Sequence, residues 1–224
     1  MNITTVVFDL DGTLMSSHET IYQATIKTLK ECNYNVDMPE DQFYTKIGMH
    51  FEDLFRDFGF VVDDFDSFIA KYKSIYFDYI DLSVIYPNVI DTINYLYENS
   101  YNIALLTTKA QDQADLILKH FGIADKFTYI MGRRPGLQHK PSAEPLLYIL
   151  KELDTLPKNC IMVGDSELDI LCGKNAGTFT LGVSYGYRST DILKTYNPDF
   201  LCDDISQLKN ILKNILKNEP SDKS

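Results

Sequence analysis

Thr4-Thr5-Val6-Val7-Phe8-Asp9-Leu10-Asp11-Gly12-Thr13-Leu14 is the stretch on which the reading of the chain turns. Its first half, Thr4 to Phe8, is β-branched and apolar without alternation. That pattern predicts a strand buried on both faces, the kind a parallel sheet uses. Two more runs of the same kind follow, Ile103-Ala104-Leu105-Leu106 and Cys160-Ile161-Met162-Val163, and Phe127 to Met131 and Thr180 to Val183 suit further strands. Helical periodicity lies between them, over Asn88 to Glu98, Gln111 to Phe121, Ala143 to Leu153 and Asp169 to Asn175. Strands alternating with helices predict right-handed βαβ units, hence an α/β fold with a doubly wound, Rossmann-like parallel sheet.

The stretch from Met15 to Val84 breaks this rhythm. It shows helical patterns at Ile21 to Cys32, Phe51 to Phe58 and Phe65 to Tyr79, and no convincing buried strand. The expected organisation is therefore a core of residues 1–14 and 85–218, an all-helical insertion of residues 15–84, and a disordered polar tail of residues 219–224. The aromatic stripe Phe65, Phe68, Tyr72, Tyr76 and Tyr79 has helical spacing and reads as packing.

Charge and composition exclude several functions. With a net charge of −11, the 224-residue chain lacks the basic footprint that nucleic-acid binding needs. Any phosphorylated ligand must be held by a local cation, a metal or a few placed lysines. Cys32, Cys160, Cys172 and Cys202 have no paired spacing and read as small buried side chains in a reducing compartment. No run is apolar enough for a membrane span, and no basic-then-apolar leader is seen, so a cytoplasmic protein is expected.

In an open α/β sheet, ligands bind beyond the carboxyl ends of the strands. The residues that follow the apolar runs are Asp9 and Asp11, then Thr107-Thr108-Lys109, then Gly164-Asp165-Ser166-Glu167-Leu168-Asp169, with Lys140 in a loop before Pro141. Taken singly, Asp9 and Asp11 suit an Asx-Gly turn and Asp165 a helix cap. Together they are three oxygen donors at one sheet edge, with Gly12 allowing close backbone approach, which suits magnesium.

Asp9-Leu10-Asp11-Gly12-Thr13-Leu14 resembles the first signature of the haloacid dehalogenase-like hydrolases. Thr107 looks like the second, Lys140 the third, and Gly164-Asp165 with Asp169 the fourth. The helical insertion is similar to the family's cap. Tyr86-Pro87-Asn88-Val89 and Val183-Ser184-Tyr185-Gly186-Tyr187 look like the phosphoglycolate-phosphatase-like branch.

The resemblance implies a phosphatase in which Asp9 attacks phosphorus and forms an aspartyl-phosphate. Asp11 would protonate the leaving oxygen and then activate water. Mg2+ would be held by Asp9, the backbone carbonyl of Asp11, and Asp165. Thr107, Thr108 and Lys140 would hold phosphoryl oxygens, with Asp169 supporting the metal or Lys140. The expected partner is a small phosphorylated metabolite, phosphoglycolate-like, with specificity in the cap and oligomeric state unspecified.

Pyrophosphate or a nucleoside monophosphate on the same site is the alternative. A β-phosphoglucomutase-like mutase is another, although Gly48-Met49-His50-Phe51 lacks the arginine of that branch. A non-catalytic phosphate- or partner-binding module predicts loss of Asp9, Asp11 or Lys140, all of which are present. Lys109 reads equally well as a phosphate contact or an exposed side chain. Arg133, Arg134, Lys46, His50, Arg56 and His120 read as surface or structural residues.

Overall fold

The computed structural model describes residues 2–217; the expected tail of residues 219–224 lies outside them. The described chain forms two compact units, Met15–Val84 and the remainder.

Strand β1 is Thr5–Phe8, and its Val6, Val7 and Phe8 have no solvent exposure. Five further strands, β2 (Asn102–Ala110), β3 (Tyr129–Arg133), β4 (Cys160–Gly164), β5 (Phe179–Val183) and β6 (Phe200–Cys202), complete a sheet of order β3-β2-β1-β4-β5-β6. Every pairing is parallel. The order reverses beside β1, between β2 and β4, and such a switch point is where a doubly wound sheet opens a crevice. Register then sets the site. Phe8 lies level with Leu105 and with Val163, so Asp9, Leu106 and Gly164 come next in line at the carboxyl edge.

The Met15–Val84 unit contains four helices, α1 (His18–Glu31), α2 (Glu40–Tyr44), α3 (Phe51–Asp57) and α4 (Phe65–Asp78). Its interior is aromatic, as the stripe predicts. Phe68, Tyr72 and Tyr76 are buried, Phe55 meets Phe68 edge-on at 5.1 Å, and Phe51 meets Tyr72 at 4.7 Å. Phe65 and Tyr79, at the ends of the stripe, are only partly covered. Asp64 caps α4 by accepting from Ser67 N at 3.0 Å. Lys46 pairs with Asp57 at 2.7 Å and Arg56 with Asp53 at 2.9 Å, so both cations are bound to acids of their own unit.

In the sheet unit, helices α5 (Val89–Glu98), α6 (Gln111–His120), α7 (Glu144–Glu152), α8 (Glu167–Ala176), α9 (Thr190–Thr195) and α10 (Leu208–Lys217) flank the strands. Val7, Leu106, Met131 and Met162 pack with Leu146, Ile149 and Leu150 of α7 on one side of the sheet. Cys160, Cys172 and Cys202 are buried and unbridged, as expected, whereas Cys32 is partly exposed. No described helix is long and apolar enough to cross a membrane. At the point where the chain leaves for the helical insertion and returns, Tyr86 N donates to Leu14 O at 3.1 Å.

Two expected boundaries move. Thr107-Thr108-Lys109 do not follow their strand; they lie within it, in an irregular stretch between Leu106 and Ala110, because β2 runs to Ala110. Threonine is β-branched and suits a ladder as well as an end, so polarity alone marks the boundary too early. Gly132 and Arg133 likewise belong to β3 and not to a loop. β6, α2, α9 and α10 are additional to the elements the sequence predicts, as are the paired two-residue strands Met15–Ser16 and Val84–Ile85, so the stretch expected to be all-helical begins and ends in short strands.

Candidate active site

Asp9 is the first residue past β1, tied into the sheet by its N–H donating to Val163 O at 2.9 Å. Lys140 reaches it from the loop before α7. The ammonium donates at 2.6 Å to Asp9 Oδ1 and at 2.6 Å to Asp169 Oδ1, and Lys140 is only 4% exposed. Asp169 divides its work. Its second oxygen, Oδ2, accepts from Ser166 N at 3.0 Å and Ser166 Oγ at 2.6 Å, capping α8. One carboxylate therefore fixes both the start of a helix and the position of a lysine.

Asp165 ends the run from β4. Its Oδ2 accepts from Tyr187 N at 2.7 Å and its Oδ1 from Thr13 Oγ1 at 3.2 Å. The fit is close: a Cβ added to Gly12, whose φ is +85°, would lie 2.2 Å from Asp165 Oδ2. At Gly164 a Cβ would lie 2.2 Å from Asp169 Cβ and Cγ. Both glycines are sites where backbone meets a site carboxylate with no room between.

Asp11 pairs with Lys109, its Oδ2 3.2 Å from Lys109 Nζ. Thr107 is buried and its Oγ1 accepts from Lys109 N at 3.3 Å; Thr108 is half-buried. Lys109, which the sequence left between two readings, is nearly covered, its side chain 8% exposed. Arg134 is not a substrate arm: it donates to Gln111 Oε1, Tyr129 OH and Ile130 O, tying α6 to β3. Sequence reasoning missed Tyr187 N and the Tyr185 hydroxyl, which donates to Thr13 O at 2.9 Å. Their signal was the Val183–Tyr187 run, noted only for its likeness to a branch of the family.

Charge is unbalanced here. Asp9, Asp11, Asp165 and Asp169 face Lys109 and Lys140. Burial pushes the Asp9 carboxyl up to about 7 against the pull of Lys140, with Asp169 and Asp11 adding to the rise. Burial, then Asp169 and Asp9, holds Asp165 well above the usual range. Burial would depress Lys140, but the carboxylates of Asp169 and Asp9 outweigh it and keep the ammonium charged. Oxygens of Asp9, Asp165 and Asp169 lie within 4.8 Å of one another. Buried carboxylates crowded this closely repel one another when ionised, and hard oxygen donors so placed fit a divalent cation such as magnesium.

A parallel sheet with acids at its switch point, a lysine on one of them and a hard-cation donor set define an α/β protein whose crevice suits metal-assisted chemistry. The chain belongs to the haloacid dehalogenase-like hydrolases, whose sequence profile matches residues 6–183. It is 35% identical over 219 residues to pyrophosphatase PpaX of Bacillus cereus, covering 96% of this chain and 99% of that one. Among solved structures it resembles a predicted phosphoglycolate phosphatase from Haemophilus somnus, at 27% identity and a TM-score of 0.84, covering 94% and 98% of the two chains. A haloacid dehalogenase-like family protein from Streptococcus pneumoniae is similar at 26% identity and a TM-score of 0.82, covering 93% and 98%. The chain is thus a hydrolase of a phosphatase family, and it shares the phosphoglycolate-phosphatase-like branch noted in its sequence.

Proposed function

We propose that this protein is a magnesium-dependent phosphohydrolase of the cytoplasm that passes the phosphoryl group of a small metabolite first to Asp9 and then to water. The observation that carries the reading is Asp9 itself, held at the sheet's switch point by Lys140 at 2.6 Å with Asp165 beside it. Phosphate monoesters hydrolyse so slowly in water that enzymes accelerate them by up to ~10²¹-fold. General acid–base catalysis supplies only ~10²–10⁴ of that. The remainder asks for a covalent step, charge neutralisation and fixed geometry.

The roles are those the family resemblance implies at these positions. Asp9 Oδ attacks phosphorus, the bridging oxygen departs, and an aspartyl-phosphate forms. Asp11 gives a proton to the departing oxygen and takes one from the water that then cleaves the acyl phosphate. Lys140 and the hydroxyls of Thr107 and Thr108 bind the phosphoryl oxygens. Lys140 also aligns Asp9, and Asp169 keeps Lys140 in place through its 2.6 Å contact. Mg2+, held by Asp9, Asp165 and the Asp11 carbonyl, would neutralise phosphoryl charge that otherwise repels the nucleophile.

Phosphoglycolate is the substrate this reading expects first. Pyrophosphate is the second, favoured by the similarity to PpaX over nearly the whole chain. Phosphate release from both compounds should require Mg2+, stop with EDTA, and fall by at least ~10³-fold in Asp9→Asn. A folded Asp9→Asn protein with activity near wild type would refute the assignment of the nucleophile.

A further inference from the structure

Two lysines serve this site, and the reaction above uses only one of them. Lys140 stands on Asp9, the attacking side. Lys109 stands on Asp11, 3.2 Å from its Oδ2, with side-chain exposures of 8% and 11%. A lysine this covered is costly unless its charge is used. It lies near the end of β2 two residues beyond Thr107, in the irregular stretch between Leu106 and Ala110, and its N–H donates to Thr107 Oγ1 at 3.3 Å.

Asp11 acts on the bridging oxygen, so Lys109 sits where the leaving part of the substrate departs. An ammonium has three donors and can hold Asp11 and a ligand oxygen together. A carboxylate or second phosphate two or three bonds beyond the bridging oxygen falls within reach of that charge; a neutral alcohol offers it nothing. In a site of net negative charge, this cation would separate the two kinds of substrate.

We infer that Lys109 is the specificity-determining residue for the leaving group, selecting phosphates whose leaving part is itself anionic, pyrophosphate and phosphoglycolate alike, over phosphates of neutral alcohols. The inference rests on the phosphohydrolase reading above and adds a residue and a substrate class to it. It also accounts for one site suiting both candidate substrates, since each carries its extra charge in the same place.

The test compares kcat/KM of wild type, Lys109→Met and Lys109→Arg, with Mg2+, on pyrophosphate, phosphoglycolate and glycerol 3-phosphate. In Lys109→Met the two anionic leaving groups should lose about 30-fold or more, as removal of one partner of a covered charge contact does, and glycerol 3-phosphate no more than about threefold. Lys109→Arg should restore most of the difference. Should Lys109→Met fail to fold by circular dichroism, Lys109→Gln is held to the same ratio. An equal fall on all three substrates would overturn the inference, leaving Lys109 a support for Asp11. So would no fall on any. Absence of phosphate release by wild type from every substrate would instead overturn the phosphohydrolase reading, and this inference with it.

Discussion

Replacing Lys140 by Met removes the one charge that touches both Asp9 and Asp169, with little change in side-chain length. Each contact is 2.6 Å long. At an effective dielectric of about 20, a pair at that distance is worth roughly 6 kcal/mol before desolvation. Most of that offsets the cost of burial, and losing one partner of such a pair leaves a net loss of about 3–5 kcal/mol. The loss should depend on pH. Burial lifts the folded-state pKa of Asp9 to about 7 from an ordinary value of 3.8, against the pull of Lys140. A carboxyl raised in this way costs stability progressively as pH climbs from its unfolded to its folded value, and the cost is complete above that. Without Lys140 its main opposing influence is gone and the folded value rises further. Near pH 5.5 both proteins hold Asp9 neutral, and the variant loses only the contact with Asp169. Near pH 8 wild type carries an ionised, paired Asp9, and the variant must either bury it unpaired or bind a proton.

Urea unfolding in EDTA should therefore give a loss of about 3 kcal/mol at pH 5.5 and about 5 kcal/mol at pH 8. An equal or smaller loss at pH 8 would show that Lys140 does not carry the charge of Asp9. A loss below about 1 kcal/mol at both values would show that the buried pair contributes nothing net.

The same titration governs metal binding. Since Mg2+ must displace protons held by Asp9, whose carboxyl is raised to about 7, and by Asp165, which burial also raises, its apparent affinity should climb steadily with pH across this range. Isothermal titration at pH 5.5, 6.5 and 8 measures this, and a flat profile would contradict it. Gly164→Ala places a methyl group 2.2 Å from Asp169 Cβ and Cγ. It should cost about 2–4 kcal/mol through overpacking and a loosened α8 cap, and should lower kcat in parallel with any weakening of the Lys140 contact. A stable, fully active variant would show that Asp169 can move without consequence.

How much of this was legible in the sequence depends on what kind of pattern each feature leaves. β1, β2 and β4 could be read because a strand buried on both faces must be apolar at every position, as Val6-Val7-Phe8 and Ile161-Met162-Val163 are. Phe200–Cys202 is three residues at a sheet edge between acids, too short to form a pattern. The end of β2 was set early because Thr107 and Thr108 are polar although they suit a strand. Asp9, Asp11 and Asp165 were singled out from their positions after apolar runs, and Lys140 from family likeness. The support that Asp169 gives Lys140 was expected from family likeness, whereas its capping of α8 through Ser166 and the contact of Lys109 with Asp11, 98 positions apart, were not, because geometry and not spacing sets them. For the same reason the sequence, in which Arg134 reads only as a surface or structural residue, does not show that it braces α6 against β3.

The Tyr86–Leu14 hydrogen bond, at 3.1 Å, makes the return point of the helical insertion adjacent to its departure. To the sheet, whatever lies between is a closed loop, and its length enters only logarithmically, at about 0.6 kcal/mol for each doubling. The join is therefore a splice point that is almost silent energetically. Helices could be lengthened, traded or pared away there while Asp9, five residues upstream, keeps its register.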